Sequence, residues 1–319
     1  MVSEEVGKFI ARRLASGALV VLFTSALTFF FVNLAPGGPA SIMNMSATPE
    51  QREALIHAMG LDRPVAERYA RWLGDALHGD LGTSLTTDQP VATLIGERLP
   101  NTLTLAGAAL GLSCLLGIPM GIVQAVRRNT WLDHVLSLLS AIGLAVPVFW
   151  LGIVLILIFA VNLHVLPAAG LASVSDGSLG DRLAHLVLPT LALATTILPT
   201  VVRFMRSSLL EVLGTEYMRT AEAKGLAARI VLSRHGLPNA LIPVLSAVGA
   251  LVPRLLGGTV VTEAVFGWPG MGRLVLDAAN GRDYPLVTGI ALVVAAIAVA
   301  TTVLVDLAYT RLDPRVRLS

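Results

Sequence analysis

The chain has 319 residues, of which 55% are hydrophobic and 14% charged, with a formal net charge of +2 and a single cysteine, Cys114. This composition is far from that of a soluble domain, and one cysteine excludes a disulfide framework. Because the uncharged runs are longer than ordinary core helices, the sequence predicts an integral membrane protein.

Six apolar stretches are long enough to cross a bilayer, which needs about 20 residues per helix. The predicted spans are residues 10–35, 101–126, 135–161, 183–203, 241–262 and 285–307. An even number of spans puts both termini on one side. If that side is the cytoplasm, fourteen Lys and Arg residues lie inside and eight lie in outer segments, as the positive-inside rule expects. We therefore predict an all-α membrane protein with cytoplasmic termini and an uncleaved first span.

The spans divide the chain into four parts. Residues 1–35 form the cytoplasmic N-terminus and first span, 36–100 an outer helical segment, 101–310 a five-span core, and 311–319 a cytoplasmic tail. The core contains a cytoplasmic loop, 209–240, and an outer loop, 263–284. This division predicts that the first span is followed by a sizeable structure outside the membrane.

Two short helices are predicted in the outer segment. The first begins in the run Thr48-Pro49-Glu50-Gln51 and ends at Gly60, because the run has an N-cap residue followed by a proline and a glutamine. The second begins after Pro64, where apolar and aromatic residues follow helical spacing at Val65, Tyr69, Trp72, Leu73 and Ala76. Its apolar face could lie on the membrane surface, on a partner or on this chain's own spans.

A polar and basic stretch, EYMRTAEAKGLAARIVLSRHGLPNA, separates the fourth and fifth spans. A turn at Gly214 precedes a predicted helix over 216–224, and Gly225 breaks that helix because glycine adopts positive φ without steric cost. A second short helix is expected over 227–234, ending at Gly236 and Pro238. The product is a helical elbow suited to a groove on a cytoplasmic partner, the alternative being a solvated loop.

Short runs along the whole chain resemble one protein family. They include NLAPGGPA, GDLGTSL, RLPNTLTLA, YMRTAEAKGL, VFGWPGMGRL and LDPRVR, in this order. The chain resembles the membrane-spanning permease subunits of bacterial ATP-binding-cassette importers of the dipeptide, oligopeptide and nickel class. That superfamily has a loop motif of E-A-A, three residues, G, nine residues and I-x-L-P. Here Arg219-Thr220-Ala221, Gly225, His235 and Leu237-Pro238 occupy its places, and the E-A-A and Ile positions depart from it as the peptide branch does.

The resemblance implies a six-helix type I importer permease fold in the bacterial cytoplasmic membrane. It implies a second homologous permease, two cytoplasmic ATPase subunits or one fused pair, and an outer substrate-binding protein as partners, besides membrane lipid. The elbow would couple the permease to an ATPase through Glu216, Arg219, Ala221, Lys224, Gly225, Leu226, Leu237 and Pro238. Gly38 stands where the family commonly has an acidic residue, so no role is carried over for that carboxylate.

The chain itself is predicted not to be an enzyme. It lacks the phosphate-binding pattern G-x-x-x-x-G-K-[ST], since neither of its two lysines, Lys8 and Lys224, ends such a loop. It also lacks H-E-x-x-H and any Cys/His cluster with metal-ligand spacing. We expect no cofactor, metal or nucleic acid on this chain, with ATP and Mg²⁺ bound by the partner ATPases.

Several residues within or beside the spans are candidates for the translocation pathway. Arg254 lies inside the fifth span, where a lipid-facing cation costs about 2.5–3.5 kcal/mol, so it is expected to face a cavity or a partner. Glu263 and Trp268 belong to the run EAVFGWPGMGRL just outside that span, and Trp268 could instead be an interfacial anchor. Prolines predict possible hinges, because each frees a backbone carbonyl and bends its helix: Pro147, Pro189, Pro199 and Pro253.

The sequence does not identify the transported substrate. Peptide is the default from the resemblance, while nickel, glutathione or another small solute fits similar permeases. An ion-coupled secondary transporter is a further alternative, but the spans show no chain of acidic residues and no convincing internal repeat.

Overall fold

The computed structural model describes residues 2–34, 57 and 62–312. The helices are α1 (Val2–Leu34), α2 (Val65–Leu77), α3 (Val91–Val126), α4 (Trp131–Ala145), α5 (Val148–Leu155), α6 (Leu179–Leu213), α7 (Glu216–Ala223), α8 (Ala228–Ile230), α9 (Leu237–Val265), α10 (Met271–Asn280) and α11 (Tyr284–Leu312). The π-helical turns Ile156–Asn162 and Val231–Gly236 follow α5 and α8. No strand occurs in the described ranges, and the predicted all-α class is confirmed.

The helices agree with six membrane spans. Within the described residues, five helices are long and apolar enough to cross a bilayer, namely α1, α3, α6, α9 and α11, and α4 with α5 passes the same test as a bent pair. The third predicted span, over 135–161, corresponds to this pair, and its two halves meet at an angle of 98°. Pro147 follows the extended residue Val146 at this break, and the residue before a proline is disfavoured in helical geometry.

The described part of the segment before α3 consists of the helix α2 followed by turns and an isolated bridge between Thr83 and Pro90. The predicted helix from Thr48 to Gly60 lies outside the described residues. The second predicted helix is confirmed as α2, and its aromatic face packs on this chain's first span: Phe29 lies 5.5 Å from Tyr69 and 5.8 Å from Trp72 between ring centroids. Helix α3 begins at Val91, ten residues before the start expected for the second span, and contains that span.

The chain divides into two compact units, of which the first comprises Met1–Thr102 and Pro269–Ala300. Its apolar core brings α3, α10 and α11 together through buried Val91, Met271 and Leu286, among others. The loop before α3 is tied to Asp283, a fully buried residue, whose carboxylate accepts hydrogen bonds from the hydroxyls of Ser84 and Thr86. We call residues 80–90 the tied loop, because Ser84 and Thr86 in this loop donate hydrogen bonds to the Asp283 side chain of the same protein.

The second unit comprises Leu103–Trp268 and Thr301–Ser319. Its centre is α6, which packs against α3 at glycines: a Cβ atom on Gly121 would lie 2.6 Å from Cβ of Met205. Helix α6 also contacts α9, where the Ser208 hydroxyl donates to the carbonyl of Ala240 at 2.8 Å. The C-terminal end of α6 is therefore fixed in place before the chain enters the polar elbow.

Candidate functional site

The predicted elbow is a real structural feature over residues 214–240. Helix α6 ends at Leu213, and α7 runs from Glu216 to Ala223. Gly225 has φ +75°, and a Cβ atom there would meet no described atom within 4 Å. The glycine is therefore required by the left-handed backbone rather than by lack of space. The turns predicted at Gly214 and Gly225 are both confirmed.

The second half of the elbow differs from the prediction. The helix expected to stop at Gly236 and Pro238 instead continues from α8 through the π-helical turn Val231–Gly236 directly into α9. Pro238 occupies the first turn of α9, where a missing amide hydrogen costs no intrahelical bond. Gly236 and Pro238 therefore do not end the helix, and they lie where the π-helical turn passes into α9.

The inner face of the elbow is buried against the end of α6. Met218, Ala221 and Val231 form a small buried cluster packed by Val212 and Leu213. The Asn239 side-chain amide also donates to the Tyr217 hydroxyl at 3.3 Å, which joins α7 to α9. These contacts hold α7 against both neighbouring long helices, so a displacement of α7 must move those helices or break the cluster.

The outer face of the elbow is uncovered. All nine residues from 222 to 230 are exposed. They include two large apolar side chains, Leu226 at 39% and Ile230 at 46% exposure, and the cations of Lys224 and Arg229. Apolar and charged groups together on a firmly held protrusion form a surface that a partner could cover.

The eight predicted coupling residues fall into two groups. Five are exposed on α7 or just after it: Glu216, Arg219, Lys224, Gly225 and Leu226. Pro238 is exposed on α9, whereas Ala221 is buried and Leu237 is partly buried in the core of the second unit. Arg219 and Glu216 pair with each other at 2.9 Å in full view of solvent. The structure thus assigns Ala221 and Leu237 to holding the elbow rather than to its surface.

Met218 and the Tyr217–Asn239 hydrogen bond are features that sequence reasoning missed. Met218 is 1% exposed and anchors the inner face of α7. The signal available in the sequence was its spacing of three residues from Ala221, which places both on one helix face. The hydrogen bond joins residues 22 positions apart and left no local signal.

The three predicted pathway residues have different surroundings. Arg254 is exposed on α9, but Glu263 is fully buried and Trp268 is 1% exposed. The Trp268 amide donates to the Glu263 carbonyl at 2.9 Å, and the indole belongs to the core of the second unit. Trp268 is therefore a core residue, and its interpretation as an interfacial anchor is wrong. A pathway role for Arg254, Glu263 and Trp268 stays a prediction.

The predicted hinge prolines are also dissimilar. Pro147 lies at the 98° break between α4 and α5. Pro189 and Pro199 are buried inside the uninterrupted α6, and Pro253 lies inside α9. Only Pro147 therefore coincides with a break of helical structure, and motion at any of the four stays a prediction.

Across the part of the chain that the structure describes, no group of three or more His, Cys, Asp or Glu side chains could hold a metal ion. The features that stand out are the helical spans and the elbow. They define a multi-pass α-helical membrane protein with one firmly held polar protrusion between two spans.

Two family models match this chain. Residues 117–318 match the inner membrane component of binding-protein-dependent transport systems, and residues 6–106 match the N-terminal part of such membrane components. The chain belongs to this family of binding-protein-dependent transport permeases, as the resemblance of its motifs predicted.

Similar proteins extend over nearly the full length of the chain. The oligopeptide transport system permease protein AppB of Bacillus subtilis (strain 168) is 38% identical, with 97% of this chain and 98% of that protein aligned. The dipeptide transport system permease protein DppB of Escherichia coli (strain K12) is 37% identical, with 97% and 98% aligned.

A solved structure is similar in fold. A chain of the MetNI methionine ABC transporter in an inward-facing conformation superposes with a TM-score of 0.58 at 18% identity, covering 69% of this chain and 96% of that one. This likeness concerns the fold alone. It confirms the predicted importer permease fold for the larger part of the molecule.

Proposed function

We propose that this permease imports dipeptides or oligopeptides in an ATP-driven transporter. Its family membership makes it a membrane component that works with a separate binding protein. Full-length relatives at 37–38% identity are named for oligopeptide and dipeptide transport. Nickel, glutathione and other small solutes are the alternatives that a transport measurement must separate from peptide.

The proposed assembly contains a second homologous permease, two cytoplasmic ATPase subunits or one fused pair, and an outer substrate-binding protein. ATP and Mg²⁺ are bound by the ATPases, so this chain carries out no chemistry and holds no cofactor. In this arrangement the elbow and both termini face the cytoplasm, in agreement with the basic excess on that side.

The coupling of this chain to an ATPase is the part of the proposal that the structure supports most directly, through the contrast between the two faces of the elbow. The nine exposed residues 222–230 present apolar and basic groups outward, while Met218 and Val231 are locked against the end of α6. An ATPase groove that covers the outer face would push on α7, and the buried cluster would pass that displacement to α6. A protrusion that was loose could not transmit it.

Elbow variants test the coupling. Leu226→Asp places a charge on the exposed apolar surface without disturbing the buried cluster. We expect the tagged variant to insert normally but to lose at least about tenfold of its copurified ATPase, because one charge in an apolar contact costs more than about 1.4 kcal/mol. Val174→Asp is the matched control, since Val174 is fully exposed in the connection before α6. Equal ATPase recovery from both variants would contradict the proposed contact.

Substrate class is tested with the complete transporter in proteoliposomes. Labelled dipeptide should enter only when ATP and the binding protein are both present. Competition by unlabelled peptides, but not by nickel or glutathione, would support the peptide assignment. Uptake of any of these solutes driven by an ion gradient without ATP would overturn the importer mechanism itself.

A further inference from the structure

A cavity lined by both apolar and polar side chains lies between α3, α4 and α6 in the second unit, away from the elbow. Its volume is about 260 Å³, and its polar lining consists of Gln124, Ser137, Ser140, Thr200, Arg203 and Arg206. The proposed function gives this cavity no task. All six of these side chains can donate a hydrogen bond, from an amide, a hydroxyl or a guanidinium group, and no carboxylate is among them.

Gln124 supplies a donor that the fold does not use. The side chain is 2% exposed, and its Nε2 has no hydrogen-bond partner among the described residues. Buried side-chain amides are satisfied in the large majority of cases, because an unmet donor loses its bond to water and gains nothing. A buried amide group that lines a cavity and lacks a partner points to an acceptor from outside the chain.

The charges around the cavity favour an anionic acceptor. Arg206 donates to both oxygens of Asp133, at 3.1 and 2.9 Å, so these two charges compensate each other. Arg203 contacts the Phe204 ring at 5.9 Å, and none of the described carboxylates pairs with it. The cavity therefore has a net positive surplus from Arg203, beside the hydroxyls of α4.

Helix α6 is longer than the hydrocarbon core of a bilayer is thick, so one of its ends can project to the level of the lipid headgroups. Helix α6 has 35 residues and is about 52 Å long at 1.5 Å per residue, against a hydrocarbon core of about 30 Å. Arg203 and Arg206 lie two to three turns from its end, near the level of lipid headgroups. The lining residue Leu144 and its neighbour Leu138 are 61% and 60% exposed, which provides apolar surface for an acyl chain.

We propose that this cavity binds the phosphate group of an acidic phospholipid. Gln124 donates to a phosphate oxygen, Arg203 supplies the opposite charge, and Arg206 is kept in place by Asp133. The acyl chains lie along the exposed leucines of α4. A free phosphate ion would use the same polar groups but not the leucines, and the two sources are distinguished by experiment.

Lipid retention by the complete purified transporter tests the site. The complex is exchanged into nanodiscs of phosphatidylcholine containing phosphatidylglycerol, and bound lipid is measured by native mass spectrometry after release. We expect Gln124→Leu and Arg203→Gln each to retain about five- to tenfold less phosphatidylglycerol than the unaltered protein, as loss of one charged or buried hydrogen bond predicts. Arg128→Gln is the control, because Arg128 is exposed at the end of α3 and does not line the cavity.

The result can overturn the proposal in three ways. Equal retention by Gln124→Leu, Arg203→Gln and Arg128→Gln would show that the cavity does not select the lipid. Equal retention of phosphatidylcholine and phosphatidylglycerol would remove the role of charge. Displacement of bound lipid by millimolar inorganic phosphate, with no preference between the two lipids, would assign the site to a soluble anion. Thermal unfolding of each variant is measured in parallel, and Gln124→Glu, which keeps the shape and adds a negative charge, must also reduce retention.

Discussion

The tied loop and the elbow are both polar connections between helices, but their polar groups have opposite fates. In the tied loop, hydroxyls of Ser84 and Thr86 and the amide of Thr86 all donate to the buried carboxylate of Asp283. In the elbow, residues 222–230 are exposed, and its one ion pair, between Arg219 and Glu216, lies at the surface. A connection whose polar groups are hydrogen-bonded within the chain has a structural role. One whose polar groups are exposed to solvent is suited to binding a partner.

The largest effect is expected where the tied loop loses its acceptor. Asp283→Ala leaves several buried donors unmatched, and it should destabilise the protein by about 3 kcal/mol or more. The measurement is thermal unfolding in detergent, together with hydrogen exchange of residues 80–90. Asp277→Ala is the matched control, because that carboxylate is 69% exposed. If both alanine variants unfold at the same temperature, the loop is not held by Asp283.

Removal of the inner face of the elbow should give the next largest effect. Met218→Ala deletes a buried side chain from the small cluster with Val231 and Ala221, and large-to-small changes of this kind cost about 2–5 kcal/mol. We expect the loss of stability to be confined to the elbow, with faster hydrogen exchange over residues 212–240. Coupling of ATP hydrolysis to uptake should also be weaker. Met218→Leu nearly conserves the volume and should retain both properties. Unchanged exchange in Met218→Ala would show that the cluster does not hold the elbow.

A smaller effect is expected from the backbone turn of the elbow. Gly225→Ala forces a residue with a side chain into φ +75°, which costs about 1–2 kcal/mol. Because a Cβ atom there meets no described atom within 4 Å, the cost is strain and not collision. The rate of ATP-driven uptake by the Gly225→Ala variant in proteoliposomes should therefore be lower than that of the unaltered protein. Gly214→Ala is the control, since Gly214 has an ordinary helical φ of −79°, and equal transport by the two variants would dismiss the turn as a coupling element.

The sequence predicted these two regions unequally well. The elbow was accessible because its charges, Gly214 and Gly225 interrupt two apolar runs, and a left-handed glycine ends a helix for a local reason. The tied loop was not recognised, because the partners of Asp283 lie 197 to 199 positions away. Pairing over such a separation is decided by packing and has no local pattern.

The same division between local and distant causes explains the remaining errors. Pro147 was recognised as a bend, yet its angle of 98° depends on what α4 and α5 pack against. For Trp268 the sequence leaves a pathway role and an interfacial anchor open, the latter because aromatic residues are common at membrane interfaces. It is instead a core residue of the second unit, where its fully buried indole is packed by helices distant in the sequence. The residue type shows that an indole has a large apolar ring and a polar N–H group, but it does not show which helices cover the ring.

The smallest effect on folding separates surface recognition from structure. Arg219→Ala removes an exposed ion pair with Glu216, and such pairs contribute within about 0.5 kcal/mol. The unfolding temperature should therefore stay the same. If the outer face of the elbow meets an ATPase, the variant should nevertheless bind the ATPase more weakly at low salt and lose less binding than the unaltered protein as salt rises, because the charge whose attraction salt screens has been removed. The measurement is a salt titration of ATPase recovery, with the exposed variant Arg128→Ala as the control. Identical salt curves for the two variants would place Arg219 outside the interface and confine the contact to the exposed apolar residues Leu226 and Ile230.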